Sequence, residues 1–244
     1  MVSDDRWKKA QEYEQGYWES EAQNIAEGDS RRLDFYGWRA DQLVTRLNEL
    51  GLDRLTGGDC SVLEIGTGPV GLVAYFPAAE RVAVDPLEGY YGSDPNLTAL
   101  RTEGVSYREG VGEELPVEDD SMDLVVMENC IDHTQDPDVV MNEISRVLKP
   151  GGVVYLTVNC RTPLGYGVHR VLSKLAVDAG HPHTYTSSRA RAIVLEHPDF
   201  ESRHLKSESY GAALVGDLRG SARDKVKAVL GVSEFVTTVI GERK

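Results

Sequence analysis

Val62-Leu63-Glu64-Ile65-Gly66-Thr67-Gly68-Pro69-Val70-Gly71 is the stretch on which the reading of this chain turns. A short, mostly apolar run bounded by turn residues is the pattern of a strand buried on both faces. It ends in a glycine-rich turn, where backbone must approach a ligand closely and a Cβ would stand in the way. Nineteen positions after Gly66, a second apolar run ends at Asp85. A carboxylate there can accept hydrogen bonds from both hydroxyls of an adenosine ribose. Gly66, Gly68 and Gly71 also spell G-x-G-x-x-G, the dinucleotide fingerprint, and Asp85 is spaced equally well for NAD. The turn alone leaves both cofactor classes open.

Outward from the turn, further short apolar runs predict strands at 61–65, 81–84, 105–108, 123–127 and 153–158. A helix is expected over 137–148, with Asp136 as its cap and Pro137 at its first position. The segment between Gly71 and Glu80 is short, which predicts an abbreviated first helix. Beyond residue 160 the regularity loosens, with a helix near 187–196 and strand-like runs at 201–210 and 235–240. Alternating strands and helices imply an α/β fold with a Rossmann-like, doubly wound sheet.

Upstream, the pattern is helical and aromatic. Trp7, Trp18 and Trp38 all fall in the first 38 residues, with Tyr13, Tyr17, Phe35 and Tyr36. Ser3 precedes a helix in which Trp7, Ala10, Glu14 and Tyr17 recur at helical spacing. A second helix is read from about Ser30 to Leu50, with Leu33, Tyr36, Ala40, Leu43, Leu47 and Leu50 as its stripe. Gly51 sits where a glycine C-cap belongs. The expected division is a helical cap at 1–57 and a ligand-binding domain at 58–244, within one structural unit.

Composition narrows the partners. Acidic residues outnumber basic ones by 40 to 26, a net charge of −14 that repels phosphate backbones and argues against nucleic acid. No apolar run reaches the eighteen or so residues of a membrane span, and the N-terminus has no apolar secretory core. The expected location is cytoplasmic. Cys60, Cys130 and Cys160 form no C-x-x-C pair, so reduced thiols are expected.

Two later runs favour one of the two cofactors. Ser121-Met122-Asp123-Leu124-Val125-Val126 is followed by Arg146-Val147-Leu148-Lys149-Pro150-Gly151-Gly152. With E-x-G-x-G at 64–68, these residues resemble the class I S-adenosylmethionine-dependent methyltransferases. Within them the chain looks most like the type 11 group of quinone- and small-molecule-modifying enzymes. The resemblance covers roughly 60–160. It implies a seven-stranded, mostly parallel sheet with an antiparallel hairpin at one edge.

The resemblance also implies roles. Glu64, Gly66, Thr67 and Gly68 would hold the methionine part of S-adenosylmethionine, and Asp85 the ribose. Pro86 and Leu87 would lie against the adenine. Gly112 and Glu113 would line its edge, and Asn129 would touch the cofactor through its backbone. Val111 stands where the family usually has aspartate, and Val70 where many relatives have glycine. S-adenosylhomocysteine is the implied product.

Methyl transfer needs an acceptor positioned, water excluded and, for a hydroxyl, a proton removed. His133, just past the carboxyl end of the fourth strand, is the candidate base. A histidine base suits oxygen as the methylated atom, on a small-molecule acceptor. Tyr166, His181 and His183 fall in the variable region expected to form the acceptor pocket. Tyr17, Trp18 and Tyr36 are candidates for a lid. His181-Pro182-His183 invites a metal reading, but no acidic or cysteine partner sits at a convincing spacing, so no metal is expected. The rival readings are an NAD-dependent oxidoreductase and an S-adenosylmethionine-binding protein without catalysis.

Overall fold

Seven strands, β1 (Ser61–Ile65), β2 (Glu80–Asp85), β3 (Val105–Glu109), β4 (Met122–Glu128), β5 (Leu148–Cys160), β6 (Phe200–Ser207) and β7 (Phe235–Arg243), form one sheet. Their order is β3-β2-β1-β4-β5-β7-β6. The fold is that of a computed structural model, described over residues 2–28, 31–174 and 180–244; the side chains of 25, 31–34, 171–174 and 223 fall outside that set. Strands β1 to β5 pair in parallel, while β7 lies antiparallel between β5 and β6. The antiparallel edge is the one expected, although helices rather than a tight turn join β6 to β7.

The central strands are apolar on both faces because helices cover both. Side chains alternate along a strand. Leu63 and Ile65 therefore enter one layer, with Val125, Met127, Leu156, Val140, Ile144 and Val194. Val62 enters the other, with Leu124, Val126, Leu43, Leu47 and Phe76. The first layer is covered by α5 (Pro137–Val147) and α7 (Ser187–Leu195), the second by α2 (Arg31–Glu49). The same alternation turns Glu64 toward the α2 side, where it is 5% exposed.

Ahead of α2 lies α1 (Asp4–Ala26), whose first amides donate to the Ser3 carbonyl. Ser30 and the Leu33 side chain, which belong to the expected second helix, lie outside the described residues. Gly51, at φ +70°, closes α2 as expected, its amide donating to the Asn48 carbonyl. Between β1 and β2 there is a single 3-10 turn, Leu72–Tyr75, in place of a full helix. Asp136 caps α5, accepting the Asp138 amide at 3.2 Å. The short helices α3 (Glu88–Tyr91) and α4 (Pro95–Thr98) follow β2.

Three helices were not legible: α6 (Pro163–Lys174), α8 (Tyr210–Arg219) and α9 (Ala222–Val229). Tyr210 was expected in a strand and instead opens α8, since pairing with β7 ends at Ser207 opposite Thr237. No residue of α8 is buried, so it leaves no apolar stripe to read. No helix among the described residues is long and apolar enough to cross a membrane. Cys60 and Cys160 are buried free thiols, and Cys130 is half-buried and free.

Candidate active site

The carboxyl ends of β1, β2 and β4 converge on one cleft, which α1 and α2 cover. At its floor the chain leaves β1 through Gly66 (φ +72°) and Gly68 (φ +62°), both in the left-handed region. A Cβ on Gly66 would lie 2.6 Å from Cys130 Sγ, and one on Gly68 2.9 Å from the Trp18 ring. The first glycine thus lets the β4 loop close in, and the second lets the covering helix do so.

Asp85 ends β2 and is 6% exposed. Its Oδ2 accepts the Gly68 amide at 2.8 Å and its Oδ1 the Leu87 amide at 2.9 Å. Burial pushes its pKa up to about 6 despite those bonds. Glu64 accepts the Val73 amide at 2.8 Å, and burial pushes it up to about 8. Burial also raises Glu128, whose ion pair with Arg39 of α2 pulls the other way. Glu14 accepts the Trp18 indole N–H at 3.0 Å. Arg39 is the sole Arg or Lys among the described lining residues and is engaged by Glu128. A cleft so rich in buried carboxylates suits a cationic guest and opposes an anionic one.

Glu64 yields a pH prediction. Its pKa is higher folded than unfolded, so its contribution to stability is fully present below about pH 4.5 and is lost as pH rises through about 8. Glu64→Gln removes the dependence. Relative to wild type, the unliganded variant should gain on the order of 2 kcal/mol between pH 6 and pH 8. Urea unfolding at both pH values measures it; a pH-independent difference would place the Glu64 pKa outside this window.

The expected ligand residues Glu64, Gly66, Thr67, Gly68, Asp85, Pro86, Gly112, Glu113 and Asn129 all line the cleft. Leu87 does not: its amide serves Asp85 and its side chain packs with the Trp18–Tyr91 cluster. The Glu113 carboxylate is already engaged, accepting the Gln135 and Asp136 amides at 2.6 and 3.0 Å. Asn129 stands at φ +50°, with its Oδ1 buried and unpartnered. A strained residue with an orphan acceptor at the cleft wall is a mark of a ligand site.

Of the lid candidates, Trp18 and Tyr36 line the cleft and are nearly buried. Tyr17 is 40% exposed and stacks edge-on against Trp18 from outside. The inner face of α1 is Trp7, Gln11, Glu14 and Trp18, spaced i, i+4, i+7 and i+11. The expected stripe was therefore right at Trp7, Ala10 and Glu14 and one residue early at Tyr17. Gln11, Phe35, Arg39 and Glu128 were missed; extending the helical spacing from Trp7 would have found Gln11.

His133 lines the cleft, with the His181 ring tilted at 55° beside it, 4.7 Å between centroids. His183 turns away, its Nε2 bonded to the Thr134 carbonyl at 3.0 Å, and burial lowers its pKa. That contact requires a proton on Nε2. Tyr166 also lies outside the cleft, in a neighbouring groove with His183, its hydroxyl bonded to Arg189 Nη1 at 2.5 Å. The acidic partner missing from the local sequence comes from afar: Asp132 Oδ2 lies 3.9 Å from His181 Nε2.

Comparison with known proteins agrees with this geometry. Residues 63–156 match the family model for a methyltransferase domain. A protein of Mycobacterium sp. (strain JLS), described as an uncharacterized methyltransferase, is 32% identical over 127 residues, 50% of this chain and 49% of that one. The chain thus spans about half the length of the curated relatives it matches. Among solved structures, a Galdieria sulphuraria protein provisionally assigned as a sarcosine dimethylglycine methyltransferase superposes with a TM-score of 0.61, at 16% identity over 90% of this chain and 89% of that one. Geranyl diphosphate C-methyltransferase from Streptomyces coelicolor A3(2) gives 0.59, at 14% identity over 84% and 80%. At such identities the structural likeness speaks for the fold alone. Family model, sheet order and cleft position agree: residues 63–156 match a methyltransferase domain, set on a sheet with the fold of the class I S-adenosylmethionine-dependent enzymes.

Proposed function

We propose that this protein transfers a methyl group from S-adenosylmethionine to a small-molecule acceptor, with oxygen the favoured atom. The observation that carries the cofactor is the pairing of Asp85 and Glu64, two buried carboxylates in one cleft beside a glycine turn. The adenosyl ligand bears a ribose diol for the first and a cationic amino group for the second. NAD fits poorly. Its pyrophosphate binds the N-terminus of the helix that follows the glycine turn, and here only the 3-10 turn Leu72–Tyr75 follows. It would also face Glu14, Glu64, Asp85 and Glu128 across the cleft.

S-adenosylmethionine, when bound, supplies an already activated methyl group, so the chain's own residues have positioning and proton handling left to do. Asp85 fixes the ribose, and Gly66 and Gly68 let backbone come close. Trp18 and Tyr36 exclude water from above. His133, the one histidine lining the cleft among the described residues, is assigned to the acceptor: a ring nitrogen takes the hydroxyl proton. His133→Ala should leave S-adenosylhomocysteine affinity within twofold or so and cut labelled-methyl incorporation into a small-molecule extract by about 10²–10⁴. Unchanged incorporation would remove His133 from the chemistry.

The test of the cofactor is thermal unfolding with S-adenosylmethionine, S-adenosylhomocysteine or NAD. At about a hundred times its dissociation constant a ligand adds roughly 2.7 kcal/mol. In a chain of this size that raises Tm by about 5–10 °C. The rise is expected with both S-adenosyl ligands and absent with NAD. The reverse pattern would overturn the reading.

A further inference from the structure

Asp132, His133 and His181 come together at the acceptor side of the cleft. One ligand-capable atom from each lies within 4.8 Å of the other two. Asp132 is 4% exposed, and its Oδ1 is buried with no hydrogen-bond partner. A buried carboxylate oxygen left without a donor is costly and calls for a partner the protein itself does not provide. His133 lines the cleft, while His181 lies beside it outside the lining, its side chain 35% exposed.

Bonds to backbone groups hold these segments in place. The His183 amide donates to the Asp132 carbonyl at 3.1 Å, and the His183 ring holds the Thr134 carbonyl. Arg6 of α1 donates to the His181 carbonyl at 3.0 Å, and the Val2 amide to the Gln135 carbonyl at 2.9 Å. The His133 amide folds back onto the Cys130 carbonyl at 3.0 Å. Loops pinned by backbone contacts, with their imidazoles and carboxylate turned toward one point, form a preorganised ligand set.

From this juxtaposition we propose that Asp132, His133 and His181 bind one divalent transition-metal ion beside the methyl-transfer cleft. Two imidazoles and one carboxylate suit Zn2+ or Mn2+ and do not suit Mg2+, which prefers oxygen donors. Donors on one such ion stand roughly 3–4 Å from each other, so binding requires the widest pair, at most 4.8 Å apart, to close by about 1–2 Å. Three protein ligands leave open positions, and His133 places them toward the cleft. They take an acceptor with a hydroxyl or carboxylate oxygen. That last step rests on the methyl-transfer reading; the ion site does not. An ion held there would supply Lewis-acid activation of a hydroxyl, and the proton transfer assigned to His133 applies to the metal-free protein.

The test uses untagged, chelator-treated protein titrated calorimetrically with Zn2+ and, separately, Mg2+. One Zn2+ per chain is expected, with no uptake of Mg2+ at the same concentration. Asp132→Asn and His181→Ala should each weaken Zn2+ binding by at least about tenfold. His197→Ala, whose ring meets Asn142 Oδ1 elsewhere on the surface, should not change it. Cooperative thermal unfolding of each variant shows that its fold survives. No Zn2+ uptake by the wild type, or equal uptake by an Asp132→Asn/His181→Ala double variant, would overturn the site. No cofactor is present in the titration, so its failure is separate from failure of the S-adenosyl thermal shift.

Discussion

Asp85→Asn should fold normally and bind S-adenosylhomocysteine at least 100-fold more weakly than the wild type, a loss of roughly 2.7 kcal/mol. A carboxylate offers about four lone-pair sites over two oxygens. The Gly68 amide occupies one on Oδ2 and the Leu87 amide one on Oδ1. One site remains on each oxygen, and a vicinal diol presents two donors at matching separation. An asparagine keeps one acceptor oxygen and turns an NH₂ toward the other amide. It therefore loses a diol contact and sets donor against donor in the turn, at about 1.5–3 kcal/mol for each charge-assisted bond. The fold is spared because the variant no longer buries a charge. Burial puts the Asp85 pKa at about 6, so wild-type affinity should also fall as pH drops below that value, while the variant stays flat. Calorimetric titration at pH 7.5 and 5.5 reads both effects. An affinity within fivefold of wild type at pH 7.5 would take the ribose contact away from Asp85.

The sheet was legible in sequence because its strands are buried on both faces and cannot be mistaken for solvent-facing ones. The run at 61–65 coincides with β1, and the ends of β2 and β4 moved by one residue each. One of the runs that carry the family resemblance, Arg146 to Gly152, proves to lie away from the cleft. It turns α5 into the start of β5, where Lys149 Nζ reaches Asp123 at 2.8 Å. Arg146 ties the helix end to Glu143, Asp119 and the Leu115 and Val117 carbonyls. A motif can thus identify a family through a folding device and remain silent on chemistry.

What was illegible is what depends on tertiary approach. Arg39 and Glu128 are 89 positions apart and meet only because α2 packs over β4. Asp132 and His181 are 49 apart and meet through a loop pinned by His183. Tyr17 and Trp18 are adjacent, and spacing could not say which ring faced inward. The contact with Gly68 decides for Trp18, since the glycine leaves room for one flat ring at that point.

Deleting residues 1–28 should leave a folded sheet that no longer transfers methyl groups. Neither of the two core layers on the sheet contains a described side chain of α1. That helix contributes instead Trp18 and Ala22 to a third cluster with Tyr36, Val70, Ala74, Tyr91 and Leu97. Losing Trp18 there costs about 3–5 kcal/mol by the scale of buried Trp truncations, a severe drop in Tm that still spares the sheet core. The loss of function has a separate origin. Trp7, Gln11, Glu14 and Trp18 form one wall of the cleft, and without them the adenosyl end is open to water. Binding of S-adenosylhomocysteine should weaken by at least tenfold, and labelled-methyl transfer should fall below detection, because water exclusion and acceptor placement go together. Far-UV circular dichroism checks the fold. Trp18→Phe refines the test in the intact chain: the three tryptophans are Trp7, Trp18 and Trp38, and the fluorescence change on S-adenosylhomocysteine binding should be largely lost in Trp18→Phe and kept in Trp38→Phe. Trp38 is 57% exposed and lines no part of the cleft. A truncated protein that folds and still transfers methyl groups would mean that α1 covers the cleft without serving it.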